Sequence, residues 1–197
     1  MKYNYLGNTG LQISNVSYGT WATFGTNMSY NESKKCIDYC YNNGINYFDS
    51  AESYAGGQAE VLLGKIIKEL KIKRETIMLS SKYFFGLTDN VNTKRTLNRK
   101  YIINALDNSL FRYNSDYLDL VYCHRYDEKT GIEEIASTMN DLIVQGKIIY
   151  WGTSEWPINK LEELLITCDK LNLRKPITEQ YEYNLFNKKI HNYEFVE

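Results

Sequence analysis

Short apolar runs alternate along this chain with longer segments whose apolar residues recur at helical spacing. The runs predict strands at about residues 16–21, 45–49, 76–81, 118–123, 148–151 and 177–181. The periodic segments predict a helix that opens near Asn31 and ends at 42–44, then helices at about 58–71, 100–113, 132–145 and 158–171. Residues 3–13 precede them and predict a β-hairpin whose turn includes Gly7 and Gly10. The pattern therefore predicts a hairpin followed by alternating strands and helices.

Strict alternation of strand and helix is typical of a parallel sheet with helical cover. Such a sheet is either doubly wound or closed into a barrel. A doubly wound dinucleotide-binding sheet carries a G-x-G-x-x-G turn after its first strand, and residues 19–25 (GTWATFG) do not fit that pattern. The candidate functional residues follow the second, third and fourth strands rather than one switch point. The sequence therefore favours a barrel.

The bulk composition is that of an ordinary globular protein. The chain has 197 residues, enough for a single domain spanning 1–197, with 43% hydrophobic and 24% charged residues. A net charge of −1 and a pI near 6.2 give no indication of a nucleic-acid or anionic-membrane partner. Residues 1–5 contain no apolar signal core, and no apolar run reaches the ~18 residues of a membrane span. We therefore expect a cytoplasmic protein without membrane insertion.

Four cysteines raise the question of a metal or redox site. Cys36 and Cys40 lie one helical turn apart, whereas Cys123 and Cys168 are isolated within apolar patterns. A CxxxC pair on a helix could hold a metal or act in redox chemistry, but no second ligand pair accompanies it. We favour buried structural thiols and predict no metal.

Four residues that could act together in catalysis follow three consecutive strands. Asp49 ends one strand and Tyr54 follows on its loop, while Lys82 and His124 end the next two strands. In a parallel barrel these ends carry the active site. Lysine beside tyrosine lowers the high pKa of the phenol, and aspartate holds the lysine in place. Histidine can then orient a carbonyl oxygen, so the set fits proton delivery to a carbonyl that receives a hydride.

Each of the four residues also has a structural explanation on its own. Asp49 could cap a helix, Tyr54 is one of 18 tyrosines, Lys82 could lie on the surface, and His124 could be a core histidine. Their placement at consecutive strand ends favours the catalytic interpretation over these four separate ones.

These segments resemble the catalytic segments of the aldo-keto reductases. The resemblance rests on residues 47–54, 80–82 and 123–125 and extends from about residue 6 to 187. Within that superfamily the likeness is greatest to the β subunits of voltage-gated potassium channels and their bacterial reductase relatives. The supporting stretches are residues 19–25, 59–64, 97–103, 150–156 and 179–184.

The resemblance implies a fold, a cofactor and a reaction. It implies a (β/α)8 TIM barrel of aldo-keto reductase type with an N-terminal β-hairpin cap, NADP(H) as cofactor, and small aldehydes or ketones as substrates. By position, the catalytic tetrad is Asp49, Tyr54, Lys82 and His124. The positions expected to contact the cofactor are Thr20, Trp21, Asn27, Asp49, Ser154, Gln180 and Tyr181, with Ser154 and Gln180 at the nicotinamide carboxamide.

The same resemblance leaves a second interpretation open, that of a potassium-channel β-subunit-like regulatory module. Such a module binds NADP(H) with little turnover, partners a membrane channel subunit and forms a homo-tetramer. His124 stands where the channel subunits carry asparagine, which favours catalysis. Glu155 stands where those subunits place a basic residue near the cofactor, so that contact is not carried over.

A complete barrel needs eight strands and roughly 250 residues, and this pattern predicts six parallel strands. We therefore expect a barrel truncated after about six strands, as a fragment of a longer chain. The alternatives are a truncated product that folds only with help, and a chain that performs no chemistry.

Overall fold

The computed structural model describes residues 1–186 of the chain. The hairpin strands are β1 (Tyr3–Tyr5) and β2 (Gln12–Ser14). The strands that follow are β3 (Tyr18–Gly19), β4 (Tyr47–Asp49), β5 (Met78–Tyr83), β6 (Leu118–Cys123), β7 (Ile148–Ser154) and β8 (Glu179–Gln180). The helices between them are α1 (Tyr30–Asn42), α2 (Gln58–Glu69), α3 (Arg99–Tyr113), α4 (Ile132–Val144) and α5 (Ile158–Lys170).

The six strands β3 to β8 form one parallel sheet in which every strand neighbours the next one along the chain. A doubly wound sheet reverses its strand order at a switch point, whereas a barrel adds strands in chain order. This order confirms the predicted barrel architecture, of which residues 1–186 supply six parallel strands with their helices.

Alternate residues of the strands belong to two separate apolar clusters because successive side chains point to opposite faces. The larger cluster lies between the sheet and the helices and includes Phe48, Leu79 and Val121. The smaller cluster lies on the other face, where Tyr47, Met78 and Leu120 pack against Leu6 of the hairpin. The predicted hairpin therefore packs against the inner face near the amino ends of the strands, as a cap.

Two element boundaries differ from the sequence prediction. Helix α1 begins at Tyr30 rather than Asn31, because Ser29 accepts a hydrogen bond from the Glu32 N–H and the Glu32 carboxylate accepts one from the Ser29 N–H. Strand β8 spans two residues rather than five. Its pairing still begins at Ile177, whose N–H donates to the Trp151 carbonyl over 2.9 Å.

The cysteine prediction is right for one pair of thiols only. Cys123 and Cys168 are buried, whereas Cys36 and Cys40 are half-buried on α1. Within residues 1–186, no group of three or more His, Cys, Asp or Glu side chains is arranged to hold a metal ion. None of the helices in that range is long and apolar enough to cross a membrane. The single-domain prediction includes residues 187–197, which lie outside the described residues.

Candidate active site

Asp49 and Lys82 form a buried ion pair on the inner face of the sheet. The Lys82 Nζ lies 2.5 Å from the Asp49 Oδ2, and the Lys82 side chain is 1% exposed. Strand register explains the pairing: Asp49 stands opposite Ser80 on the neighbouring strand, and Lys82 follows Ser80 by two residues on the same face. The sequence therefore brings a carboxylate and an ammonium together at the carboxyl ends of β4 and β5, as predicted.

Further hydrogen bonds fix this ion pair. The Asp49 carboxylate also accepts from the Ser80 hydroxyl over 2.5 Å and from the Tyr47 hydroxyl over 3.3 Å. The Lys82 ammonium also donates to the Ser50 carbonyl over 2.8 Å. A buried ion pair tolerates its loss of hydration when such bonds satisfy the remaining lone pairs and protons. The ammonium is therefore held in one position.

Tyr54 lies on the loop after β4, at the start of a short 3-10 turn, Tyr54–Gly57. Ala55, Gly56 and Gly57 in this turn all have positive φ, which two glycines adopt without strain. The Lys82 Nζ lies 5.2 Å from the centroid of the Tyr54 ring. The loop thus carries the phenol ring back over the ammonium, at a distance typical of a cation–π contact.

His124 follows β6 and faces Tyr54. The two ring centroids are 6.2 Å apart in an edge-on arrangement. Burial, together with the nearby charges of Lys82 and Arg125, lowers the pKa of His124 to about 3. Its Nδ1 is buried and has no hydrogen-bond partner among residues 1–186. The imidazole is therefore neutral at physiological pH and has hydrogen-bonding capacity that the described residues leave unused.

A cleft of about 460 Å³ opens above these residues. It contains both Tyr54 and His124, together with Trp21, whose side chain is 73% exposed. Its lining residues are Trp21, Ala22, Thr26, Ser53, Tyr54, Ala55, Phe85, His124 and Arg125. The tetrad residues therefore lie at or next to one cleft, which is the size and kind of site that small ligands occupy.

Phe85 and Arg125 are two of the lining residues that were not assigned a role from sequence. Phe85 packs edge-on against His124, with ring centroids 4.9 Å apart. The Arg125 guanidinium lies 5.7 Å from the centroid of the Phe85 ring. The adjacency of Arg125 to His124 in the chain was a usable signal. No comparable signal marks Phe85, since it lies in a long loop between β5 and α3 whose path the pattern does not define.

A buried carboxylate joins this long loop to the loop of Tyr54. Glu52 accepts hydrogen bonds from the Phe84 and Gly86 N–H groups, each over 3.3 Å, and from the Tyr101 hydroxyl. Burial raises the pKa of Glu52 above its ordinary value, although these hydrogen bonds favour the charged form. The two donating N–H groups flank Phe85, so Glu52 sets the position of that ring.

Of the seven predicted cofactor-contacting residues, Trp21 lines the cleft; the six that do not are Thr20, Asn27, Asp49, Ser154, Gln180 and Tyr181. Thr20 is buried, and its hydroxyl donates to the Ser50 Oγ over 2.8 Å. The Asn27 side-chain amide donates to the Ala22 carbonyl over 2.9 Å. Both side chains stabilise the 20–28 loop, which presents Trp21 and Ala22 to the cleft.

The remaining predicted cofactor positions lie at the ends of β7 and β8. Ser154 stands opposite Gln180 in the sheet, and its hydroxyl donates to the Gln180 carbonyl over 2.9 Å. The Tyr181 hydroxyl donates to the Trp156 carbonyl over 2.9 Å. Glu155 accepts a hydrogen bond from the Glu182 N–H. The structure thus places Ser154 and Gln180 side by side at the same rim as the tetrad.

Comparisons with known proteins agree with this arrangement. The model of the aldo/keto reductase family matches residues 15–197. A thermostable aldo-keto reductase crystallised with the inhibitor epalrestat superposes with a TM-score of 0.84 at 28% identity, covering 98% of this chain and 66% of that one.

Two curated relatives are described as probable voltage-gated potassium channel β subunits. The protein from Oryza sativa subsp. japonica is 43% identical over 95% of this chain and 57% of its own length. The protein from Arabidopsis thaliana is 44% identical over 94% of this chain and 56% of its own length. The chain therefore spans a little over half the length of these relatives. From its parallel strands, its strand-end residues and the family match over residues 15–197, the chain belongs to the aldo/keto reductase family.

Proposed function

We propose that this protein reduces aldehydes or ketones to alcohols with NADPH, using Tyr54 as the proton donor. The observation that supports this most directly is the buried ammonium of Lys82, held by Asp49 and lying 5.2 Å from the Tyr54 ring centroid. Such a cation lowers the cost of forming a phenolate, which is the state of tyrosine after it gives up its proton.

The other two residues of the tetrad position the reacting groups. Asp49 holds the ammonium in place through its 2.5 Å contact. His124, neutral because of burial, can hydrogen-bond a carbonyl oxygen beside the Tyr54 hydroxyl without competing as a proton donor. The aromatic rings of Trp21 and Phe85 line the same cleft.

The residues at the rim fit a nicotinamide cofactor. When bound, NADPH would supply the hydride. Ser154 and Gln180 carry hydroxyl and amide groups suited to hold a carboxamide, and they lie side by side at the rim. Trp21 offers an exposed aromatic face at the opening of the cleft. The preference for NADPH over NADH rests on the resemblance stated above.

Replacing the phenol tests this proposal. We expect Tyr54→Phe to lower kcat for reduction of 4-nitrobenzaldehyde by at least about 100-fold, the usual contribution of a positioned proton donor. The Kd for NADPH, followed by its fluorescence, should stay unchanged because the ring remains. Tyr39→Phe is the matched control, since Tyr39 is 70% exposed on α1. Unchanged turnover in Tyr54→Phe would remove Tyr54 as the donor.

The curated relatives support a second candidate, a cytosolic regulatory module that binds NADP(H) and a potassium channel subunit. The supporting observation is 43–44% identity to two proteins described as probable channel β subunits. This candidate predicts tight NADPH binding with negligible turnover, co-purification with a voltage-gated channel subunit, and a tetramer in light scattering. Rapid turnover by a monomer that captures no channel subunit would exclude it.

A further inference from the structure

Arg125 places a cation on the wall of the cleft, next to the tetrad. It follows His124 directly, and its half-buried side chain lines the same cleft as Tyr54. Its Nη1 donates to the His124 carbonyl over 2.5 Å and to the Ser154 Oγ over 3.4 Å. The ring of Phe85 supports the guanidinium at 5.7 Å. These contacts fix the orientation of the side chain.

The charge of Arg125 has no counterion in the part of the chain that the structure describes. No carboxylate within residues 1–186 lies within 4.0 Å of its guanidinium. Both of its hydrogen bonds use Nη1, and each acceptor is neutral. A guanidinium has five N–H donors in a planar fork. Most of the donors therefore remain available for an acceptor in the cleft.

Lys82 and His124 do not change the positive charge that Arg125 places at the cleft. The Lys82 ammonium is neutralised by Asp49 at 2.5 Å. His124 is neutral at physiological pH, partly because it lies near the positive charges of Lys82 and Arg125. The nearest acidic residue further along the chain, Asp127, accepts hydrogen bonds from the Leu97 N–H and the Thr130 hydroxyl instead. Among the described residues that line the cleft, Arg125 is the one that carries a charge.

We propose that Arg125 forms an anion subsite that binds a carboxylate on the carbonyl substrate, so that the preferred substrates are aldehydes or ketones that also carry an acid group. The inference rests on the proposed function for the identity of the ligand as a carbonyl substrate. A carboxylate matches the planar fork of a guanidinium in two parallel hydrogen bonds. The subsite orients the substrate and takes no part in proton transfer, so Arg125 is a specificity-determining residue.

Equilibrium binding without cofactor tests the subsite separately from catalysis. The two probes are 4-carboxybenzaldehyde, which is an anion at pH 7, and its neutral methyl ester, each titrated by calorimetry. We expect the acid to bind about 10- to 100-fold more tightly, as for a hydrogen bond to a charged group. The preference should fall as salt is raised, since the cleft is open to solvent.

Substitutions test whether the preference for the acid over the ester depends on Arg125. Arg125→Gln should bring the affinity ratio of acid to ester close to one, and Arg125→Lys should leave an intermediate ratio because the charge remains without the fork. Arg174→Gln is the matched control, since Arg174 is exposed and lies in the segment before β8, near the amino ends of the strands. It should leave the ratio unchanged.

Several results would overturn the subsite. Equal affinity for acid and ester, no binding of either up to 10 mM (about the weakest affinity the assay detects), or a preference that survives in Arg125→Gln would each do so. A loss of NADP+ affinity in Arg125→Gln without a change in the ratio would assign the cation to the cofactor phosphates instead. Retained acid preference together with full turnover in Tyr54→Phe would leave the subsite standing and remove the proposed proton donor.

Discussion

Asp49→Asn is expected to destabilise the fold strongly, because it removes the counterion of a buried ammonium. The Lys82 side chain is 1% exposed, so water cannot replace the lost carboxylate. Breaking a buried ion pair from one side costs about 3–5 kcal/mol. The Ser50 carbonyl still accepts a hydrogen bond from the ammonium over 2.8 Å, which favours the lower end of this range, about 3 kcal/mol.

Urea denaturation of the unmodified protein, the two single variants and the double variant measures this cost as a double-mutant cycle. Lys82→Met alone should also destabilise, because it leaves the Asp49 carboxylate buried with two hydroxyl donors. The double variant Asp49→Asn/Lys82→Met removes both charges, so it should lose at least about 2 kcal/mol less than the sum of the single losses.

A surface pair provides the control for that cycle. Lys147 and Asp107 lie 2.7 Å apart, with side chains 34% and 50% exposed. Asp107→Asn should therefore change the free energy of unfolding by less than about 1 kcal/mol. If Asp49→Asn cost no more than Asp107→Asn, or if the Asp49 and Lys82 losses simply added, the two buried charges would not depend on each other and this reasoning would be refuted.

Two further predictions concern stability away from the cleft. Burial raises the pKa of Glu179 from 4.5 to about 7. Between these pH values the folded protein retains a proton that the unfolded chain has lost, so the free energy of unfolding should fall as pH rises from 4.5 to 7. Glu179→Gln should flatten this dependence, which amounts to at most about 3 kcal/mol in urea titrations between pH 4.5 and 7; an unchanged slope would refute the assignment. Gly64→Ala should cost at least about 2 kcal/mol despite the helix propensity of alanine, because a Cβ at Gly64 would lie 2.5 Å from the Tyr113 carbonyl oxygen. Gly10→Ala, which meets no atom within 4 Å, should be close to neutral, and equal losses would contradict this reasoning.

The barrel architecture and the ion pair could be predicted because successive side chains of a strand alternate between the two faces of the sheet. Once residues 45–49 and 76–81 are strands, Asp49 and Lys82 must approach the same end of the sheet. The predicted helices lie within a few residues of the observed ones. The start of α1 was displaced because the capping box of Ser29 and Glu32 lies one turn before the apolar periodicity begins.

The walls of the cleft could not be predicted in the same way, since they consist of loops. Phe85 reaches His124 only because Gly86, with φ +73, turns the chain and because Glu52 holds the neighbouring N–H groups. Thr20 was predicted to contact the cofactor, and in the structure its hydroxyl donates to the Ser50 Oγ over 2.8 Å. Which side chain a loop presents depends on tertiary hydrogen bonds that no local pattern encodes.

The carboxylate of Glu52 couples the loop of Tyr54 to the long loop of residues 83–98. A substitution in residues 83–98 that shifts the Phe84 and Gly86 amides should also displace Glu52, which lies two residues before Tyr54. Natural variation in this long surface segment would therefore shift the loop of Tyr54 as well as the wall of the cleft at Phe85, even when the altered side chain does not line the cleft.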